Sequence, residues 1–387
     1  MISAQSATSV LDAARALRPR LLGERDRIEA DRRLPADLAK ELAGAGLFRL
    51  SLPRAYGGLD LAPMASMEIF EELARTDASV AWCVWNGNAY WTAPQLSETA
   101  AKEIFSDPSV IIANSTQPKG RAVAAEGGYQ VSGHWSLVSG CQISDWIQLT
   151  CIVYDGDQPR LTGAGTPQTR FFFCRADDCE IVDTWSAGGL RGTGSHDVVV
   201  RDLFVPDRHA SSFIDPPLLA DPRYRFPSWT REIPGCGAIA LGIARGAIDA
   251  LVELARVKRP ERSAQTLSED RGAQARIAQA EALVSSARLF LFDAVGRLWT
   301  DVAGGAEPSV EGRARVRLAS CHAITSAVQA VDLVFLTGGA TSLYTTSPLE
   351  RASRDVHAMT QHIAVHPRVM ETVGRVIFGL EPETPVF

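Results

Sequence analysis

The sequence has 387 residues and a formal net charge of −6, with 46% hydrophobic and 22% charged residues. A single hydrophobic core rarely grows beyond about 250 to 300 residues, so we expect more than one domain. This balance of apolar and charged residues is that of a globular protein and excludes a disordered or fibrous chain. An acidic protein without a basic run binds a phosphate backbone poorly, so we expect no nucleic acid partner.

The seven cysteines are scattered and form no Cys-x-x-Cys pair, so we expect reduced thiols in the core. No stretch reaches the roughly 18 consecutive apolar residues of a membrane span, and the first residues lack the pattern of a secretory signal. We therefore predict a soluble, cytoplasmic protein that does not enter a membrane.

The hydrophobic pattern changes twice along the chain. Apolar residues recur at helical spacing up to about residue 105, for example at Leu38 and Leu42 after Pro35. From about 110 to 218 the period becomes two, as in residues 146–153 and 196–205, and Gly, Asp and Pro separate the runs. These patterns predict an N-terminal helical domain over 1–110 and a β domain over 111–218.

Helical spacing returns after Pro234 and continues to the end of the chain. Two long apolar stripes, over residues 277–298 and 316–334, flank the loop 304–308. Two long helices joined by a short loop run antiparallel, which is the beginning of a bundle. We predict a C-terminal helical bundle over 219–387.

Two motifs that suggest ligand binding have simpler explanations. The glycines Gly235 and Gly237 do not follow a strand, as a dinucleotide-binding fingerprint requires, so we expect them to let a helix pack closely. His362 and His366 lie four residues apart, but residue 363 is Ile, where a zinc hydrolase helix carries a catalytic carboxylate. We predict no metal site.

Residues 128–146 predict a strand, a small-residue turn at Ser139-Gly140 and a second strand. Such a turn can bring a hydroxyl and backbone N–H groups against a flat ligand. An ordinary hairpin explains the same pattern, so the turn by itself leaves both possibilities open.

Four segments, taken in order, resemble the acyl-CoA dehydrogenase superfamily over nearly the whole chain. They are residues 34–58 (LPADLAKELAGAGLFRLSLPRAYGG), residues 185–206 with the run GLRGTGS, the Gly338-Gly339 turn, and residues 349–355 (LERASRD). The resemblance implies an α+β multidomain fold with an N-terminal helical domain, a central β-barrel or sandwich and a C-terminal four-helix bundle. It also implies a flavin held between them, in a homotetramer. The cofactor-binding residues that it implies are Ser115, Ser139, Gly140, Gly338, Gly339 and Arg354.

Within the superfamily, the segment 354–362 (RDVHAMTQH) is most similar to the two-component, group D flavin-dependent monooxygenases. True acyl-CoA dehydrogenases usually place a glutamate base followed by Gly-Thr in this region, and here residue 363 is Ile. In the monooxygenase branch a histidine at the place of His362 faces flavin and substrate, and a hydroxyl at the place of Ser139 contacts the flavin near N5. The resemblance therefore implies that His362 and Ser139 are catalytic.

The substrate pocket implied by the resemblance lies near an Ala-Trp pair at residues 81–82. Members that hydroxylate phenols often have a second histidine after this pair, whereas this chain has Asn88 and Tyr90, which cannot serve as a base near neutral pH. The predicted pocket residues are Trp82, Asn88, Tyr90, Trp229 and Glu232. We expect the aromatic residues around positions 82–91, among them Trp85 and Trp91, to help keep the pocket dry together with Trp135, Trp185 and Trp229.

These observations favour the oxygenase component of a two-component flavin-dependent monooxygenase. A separate reductase would supply reduced FAD or FMN, and O2 would be the co-substrate. Oxygen transfer through a flavin C4a-hydroperoxide would hydroxylate an electron-rich small aromatic molecule such as an indole, a phenol or a polyketide-type ring. Two alternatives remain open: an acyl-CoA dehydrogenase that uses Glu232 as its base, and a non-catalytic binding protein with the flavin fold. A carboxylate favoured at a helix N-terminus explains Glu232 as well.

Overall fold

The computed structural model describes residues 7–90, 92–261, 263–366 and 368–382, and Trp91 lies outside these ranges. The described residues form eleven α-helices and eight β-strands. The helices are α1 (Ala7–Ala16), α2 (Arg18–Asp31), α3 (Ala36–Gly44), α4 (Pro63–Ala74), α5 (Ala78–Asn86), α6 (Glu98–Phe105), α7 (Ser228–Val257), α8 (Arg271–Ala303), α9 (Val310–Gly338), α10 (Pro348–Met359) and α11 (Arg368–Ile377). The strands are β1 (Ile112–Ala125), β2 (Gly128–Val138), β3 (Trp146–Asp155), β4 (Gln158–Pro159), β5 (Thr169–Arg175), β6 (Glu180–Val182), β7 (His196–Pro206) and β8 (Ala210–Ser211).

The short helix α5 is the central element of the N-terminal part. Asp77 caps it, because its carboxylate accepts a hydrogen bond from the N–H of Val80 (3.0 Å). Every residue from Ala78 to Trp85 is buried. A helix covered on all sides holds its large side chains in fixed positions, and this fixes Trp82 and Trp85.

The strands pair as one continuous sheet in the order β6-β7-β2-β1-β3-β5-β8, with β4 beside β3. This sheet forms the predicted central β domain, between the two helical parts of the chain. Its regular pairing is interrupted in β1 between Ser115 and Gly120 and in β2 between Trp135 and Val138. Such irregularities redirect side chains and often border functional sites.

The C-terminal helices pack around α9, and the antiparallel pair of α8 and α9 agrees with the prediction. Helix α7 begins at Ser228, so its predicted start after Pro234 was too late. Gly235 lies where a Cβ atom would come 2.4 Å from Trp85 Cδ1. The glycine thus lets α7 approach α5 closely, as the sequence indicated.

The segment Val310–Leu343 is long and apolar enough to cross a membrane by length and composition. However, 56% of its most apolar window is buried inside the protein. A central bundle helix shows the same combination, so the segment is weak evidence for a membrane span.

All seven cysteines are free thiols. Six of them are buried, and Cys179 is half-buried. Burial raises the pKa of the Cys141 thiol to about 12 and raises the pKa of the Cys83 and Cys236 thiols further.

Candidate active site

A cavity of about 460 Å³ lies between α5, the sheet and the C-terminal end of α10. Its volume is within the range of small-molecule sites, about 300 to 1,000 Å³. Five of the predicted catalytic, cofactor-binding and substrate-pocket residues line it: Trp82, Ser115, Ser139, Trp229 and His362. The other lining residues are Trp85, Asn86, Asn114, Thr116, Gln117, Leu137, Trp185, Ala187, Gly188, Gly189, Leu190, Thr193, Ser195, Ala358, Gln361 and Ile363.

His362 packs against two indole rings at one end of the cavity. Its ring centroid lies 5.2 Å from that of Trp82 and 5.6 Å from that of Trp85, edge-on in both cases. Its Nδ1 lies 4.0 Å from Cys236 Sγ. Burial, with a smaller effect of the Arg317 charge, lowers the pKa of His362 to about 4. The imidazole is therefore neutral at neutral pH, and a neutral imidazole can donate one hydrogen bond and accept another.

Ser139 is part of a row of hydroxyl groups beside the end of β2 and the start of β7. Val138 at the end of β2 pairs with His196 at the start of β7, which brings Ser139 beside Ser195. Ser139 Oγ lies 2.8 Å from Ser195 Oγ, and Ser195 Oγ lies 2.6 Å from Thr193 Oγ1. At one end of the row, Trp82 Nε1 donates to Ser139 Oγ (3.0 Å). The indole that packs against His362 therefore also positions Ser139.

The other end of this row is fixed to the bundle. Thr193 Oγ1 donates to the carbonyl of Leu190 (2.9 Å), and the N–H of Leu190 donates to Asp355 Oδ1 (2.7 Å). Leu190 has a φ of 52°, a left-handed conformation that is unfavourable for a leucine and that these contacts hold in place. Burial raises the pKa of Asp355 to about 7.

The uncharged polar lining and the flat aromatic walls fit an isoalloxazine ring. Trp82, Trp85, Trp185 and Trp229 supply ring surfaces, and Asn114 Nδ2 holds the carbonyl of Asn86 (2.8 Å) in the wall. Ser139 Oγ offers a polar atom to the edge of such a ring. The residues present therefore suit a flavin.

Comparison with known proteins gives the same family across the chain. Residues 8–104 match the model of the N-terminal domain of acyl-CoA dehydrogenase, and residues 235–367 match that of a C-terminal domain. Indole-3-acetate monooxygenase of Pseudomonas putida is 30% identical over 93% of this chain and 90% of its own length. The oxygenase component of the FADH2-dependent resorcinol hydroxylase of Rhizobium sp. is 31% identical over 92% and 90%. The crystal structure of 3-HSA hydroxylase from Rhodococcus sp. RHA1 superposes with a TM-score of 0.88 at 31% identity, and 98% of each chain is covered.

The chain belongs to the flavin-dependent monooxygenase branch of the acyl-CoA dehydrogenase superfamily. The predicted family, three-part fold, enzyme class and dependence on reduced flavin are confirmed. These relatives are monooxygenases and hydroxylases, and none of them is named as a dehydrogenase or a binding protein.

In this oxygenase, Asn88 and Tyr90 lie outside the large cavity, which corrects their predicted placement. Asn88 is fully buried, where its Oδ1 accepts from the N–H of Leu50 (2.7 Å) and its Nδ2 donates to the carbonyls of Leu47 and Val84 (2.6 and 2.7 Å). The Tyr90 hydroxyl donates to the carbonyl of Phe48. Both side chains hold the segment 47–51 against α5 and its C-terminal end.

Four predicted cofactor contacts also lie outside the wall of this cavity. Gly140 forms the turn after Ser139 with a φ of 75°, and its N–H donates to the Thr193 carbonyl (2.9 Å). The Gly338 carbonyl accepts from Lys258 Nζ, next to Gly339. Arg354 Nη1 donates to the Gly188 carbonyl (2.7 Å) and pairs with Glu29 (2.8 Å). Arg354 therefore holds the loop that borders the cavity, and direct contact of these four residues with flavin stays a prediction.

Glu232 lines a separate, small cavity of about 20 Å³ beside Tyr90, Tyr224 and Arg231. Burial raises the pKa of Glu232 to about 8, so the carboxyl is mostly protonated at neutral pH. Its backbone carbonyl, rather than its side chain, contacts the wall of the large cavity, because it accepts from Trp85 Nε1 (2.9 Å). This position does not favour Glu232 as the base of a dehydrogenase.

Trp85 and Trp185, predicted for the dry wall, line the cavity, and Trp85 lies three positions after Trp82 on the same helix. The sequence prediction did not assign Thr193 and Ser195 to the site. Thr193 and Ser195 belong to the run GLRGTGS, but nothing in that run shows which residue they face. Trp135, predicted for the dry wall, is buried within the sheet, where its Nε1 donates to the Thr150 carbonyl (2.8 Å).

Proposed function

We propose that the large cavity binds reduced FAD together with an electron-rich aromatic substrate, which the enzyme hydroxylates. A separate flavin reductase supplies the reduced flavin, as the relative named as an oxygenase component implies. The observation that carries the proposal is the convergence of Ser139, His362 and four indole rings on one cavity. Reduced flavin, when bound there, would supply the two electrons with which dioxygen is activated, so that one oxygen atom goes to the substrate and the other leaves as water.

The indole rings exclude water from the reacting atoms. Trp82 and Trp85 are only 6% and 4% exposed, and Trp185 and Trp229 cover other parts of the wall. Water exclusion matters because competing release of hydrogen peroxide wastes the reduced flavin. The same apolar walls favour an aromatic ring as substrate.

Ser139 and His362 provide the polar contacts in this proposal. Ser139 Oγ would accept a hydrogen bond from the N5–H of reduced flavin and so retain that proton. The neutral imidazole of His362 would form a hydrogen bond with the substrate or with the oxygen that is transferred to it. A hydrogen bond from a neutral group is compatible with the dry surroundings, whereas an unpaired charge there would be costly.

The proposal is tested with the purified protein, reduced FAD or FMN and ¹⁸O-labelled dioxygen. Indole-3-acetate and resorcinol are the substrates, and cyclohexaneacetate is the control that lacks an aromatic ring. We expect one labelled oxygen atom in an aromatic product and only hydrogen peroxide with the control. Hydrogen peroxide alone with every aromatic substrate, including further phenols and indoles, would contradict aromatic hydroxylation.

We further propose a homotetramer in the cytoplasm. Large apolar side chains are exposed near the C-terminal ends of α9 and α11, including Leu336, Tyr344, Ile377 and Phe378. Exposed apolar groups of this kind are typical of subunit contacts. Free cysteines suit a reducing compartment. Light scattering of the purified protein measures the number of subunits.

A further inference from the structure

The row of hydroxyl groups at Ser139 has only one arrangement of protons that makes all its hydrogen bonds. The Leu190 carbonyl can only accept, so the Thr193 proton points to it. Thr193 must then accept the proton of Ser195, and Ser195 must accept that of Ser139. The indole N–H of Trp82 can only donate, so it occupies a lone pair of Ser139.

This arrangement determines what Ser139 offers to a ligand. Its proton is directed to Ser195, and one of its two lone pairs receives the Trp82 N–H. One lone pair remains for the cavity, so towards a ligand Ser139 acts as an acceptor and not as a donor. Ser139, Ser195 and Thr193 are at most 6% exposed, so bulk water does not readily replace these partners.

The two redox states of a flavin differ in whether N5 accepts or donates a hydrogen bond. N5 of the oxidised ring is an acceptor, whereas N5 of the reduced ring carries a proton and is a donor. Because the Ser139 proton is directed to Ser195, Ser139 Oγ can accept a hydrogen bond from the reduced N5–H but cannot donate one to the oxidised N5. Ser139 therefore favours the reduced ring, and the oxidised N5 faces a lone pair.

We infer that Trp82, Ser195 and Thr193 are positioning residues that make Ser139 an acceptor and so make the site select reduced over oxidised flavin. The inference rests on the proposed function, in which Ser139 meets the flavin N5. It adds a reason for the selection: an enzyme supplied by a separate reductase must take up reduced flavin and release oxidised flavin.

The test is an anaerobic measurement of the dissociation constants of reduced and oxidised FAD for the wild type and five variants. Ser195→Ala removes the acceptor of the Ser139 proton, and Thr193→Val leaves Ser195 free to donate to Ser139. In both variants Ser139 can turn its proton to the cavity, so we expect tighter binding of oxidised FAD. The preference for reduced FAD should fall about 5- to 10-fold, the value of one ordinary hydrogen bond.

Two other variants separate this effect from a general disturbance of the site. Ser139→Ala should weaken reduced FAD without strengthening oxidised FAD. Thr193→Ser keeps the hydroxyl and should keep the wild-type preference. Ser144→Ala is a further control, because that hydroxyl donates to the Cys141 carbonyl in the same turn but is outside the row.

The reduction potential of bound FAD gives a readout that needs no variant. A tenfold preference for reduced FAD raises the potential of the bound flavin above that of free FAD by about 30 mV. A bound potential at or below that of free FAD, or an unchanged preference in Ser195→Ala and Thr193→Val, would overturn the inference. If the wild type binds neither form of FAD, the proposed function fails as well.

Discussion

The protein buries titratable groups in two neighbouring cavities, and these differ in what a ligand can reach. The large cavity contains hydroxyls, amides and His362, whose pKa burial lowers to about 4. The small cavity contains Glu232, whose pKa burial raises to about 8. In both places burial favours the neutral form, but only the large cavity has room for a flavin and an aromatic ring. Under the proposed function, the position of a group in the fold, more than its pKa, distinguishes the role of His362 from that of Glu232.

The largest effect is expected from His362→Ala. If His362 contacts the substrate or the oxygen being transferred, its loss removes a contribution of about 10²- to 10⁴-fold in rate. The variant should still bind reduced FAD and consume dioxygen, but should release mostly hydrogen peroxide. The measurement is the ratio of hydroxylated product to dioxygen consumed.

His366→Ala is the matched control for His362, because His366 is exposed and follows four positions later. We expect this control to keep the wild-type coupling, that is, the wild-type ratio of hydroxylated product to dioxygen consumed. Wild-type coupling in His362→Ala would show that both cavities contain only structural titratable groups, and the comparison above would fail.

A smaller effect is expected from Ser139→Ala. Without a substrate, the loss of the acceptor for the N5 proton should accelerate the release of hydrogen peroxide about 5- to 100-fold, if the bond contributes about 1 to 3 kcal/mol. Stopped-flow absorbance of flavin reoxidation measures this rate, with Ser144→Ala as the control. Equal rates in the wild type and Ser139→Ala would exclude Ser139 from this role.

The smallest effect on oxygen transfer is expected from Glu232→Gln, which should leave the coupling ratio unchanged. The variant should instead alter the pH dependence of stability. Between the unfolded pKa of 4.5 and the folded value of about 8, the folded wild type binds more protons than the unfolded chain. Its stability therefore decreases as the pH rises through this window, and the contribution of Glu232 is fully present only below it.

A glutamine at this position does not titrate, so the melting temperature of Glu232→Gln should exceed that of the wild type near pH 8. Thermal unfolding as a function of pH measures the difference, with the exposed Glu253→Gln on the same helix as the control. Loss of turnover in Glu232→Gln with an intact fold would make the small cavity the reacting one.

The sequence was sufficient for the order of the domains and for most elements, because these depend on local periodicity. Helix α3 after Pro35 and the α8–α9 pair are of this kind. The start of α7 was missed because proline usually ends a helix, whereas here Pro234 lies inside one. In the same turn, the Glu232 carbonyl accepts a hydrogen bond from Trp85, a contact made by another helix.

The site was predicted only in part, since its hydrogen bonds join segments that are distant in sequence. Trp82, Ser139 and His362 followed from the family resemblance, and the structure brings them together. Asn88 was misplaced because its partners at residues 47–51 are fixed by tertiary packing. The partnership of Ser139 with Ser195 depends on the register of β2 with β7, which the sequence pattern does not reveal.

The buried thiols have a consequence for the lifetime of the enzyme. Any hydrogen peroxide released by the proposed reaction would form next to the side chains of the cavity, and peroxide attacks the thiolate form of cysteine. Cys236 lies beside His362, yet burial raises the pKa of its thiol far above neutral pH and keeps it protonated. The active site can therefore contain a cysteine without being inactivated by its own by-product.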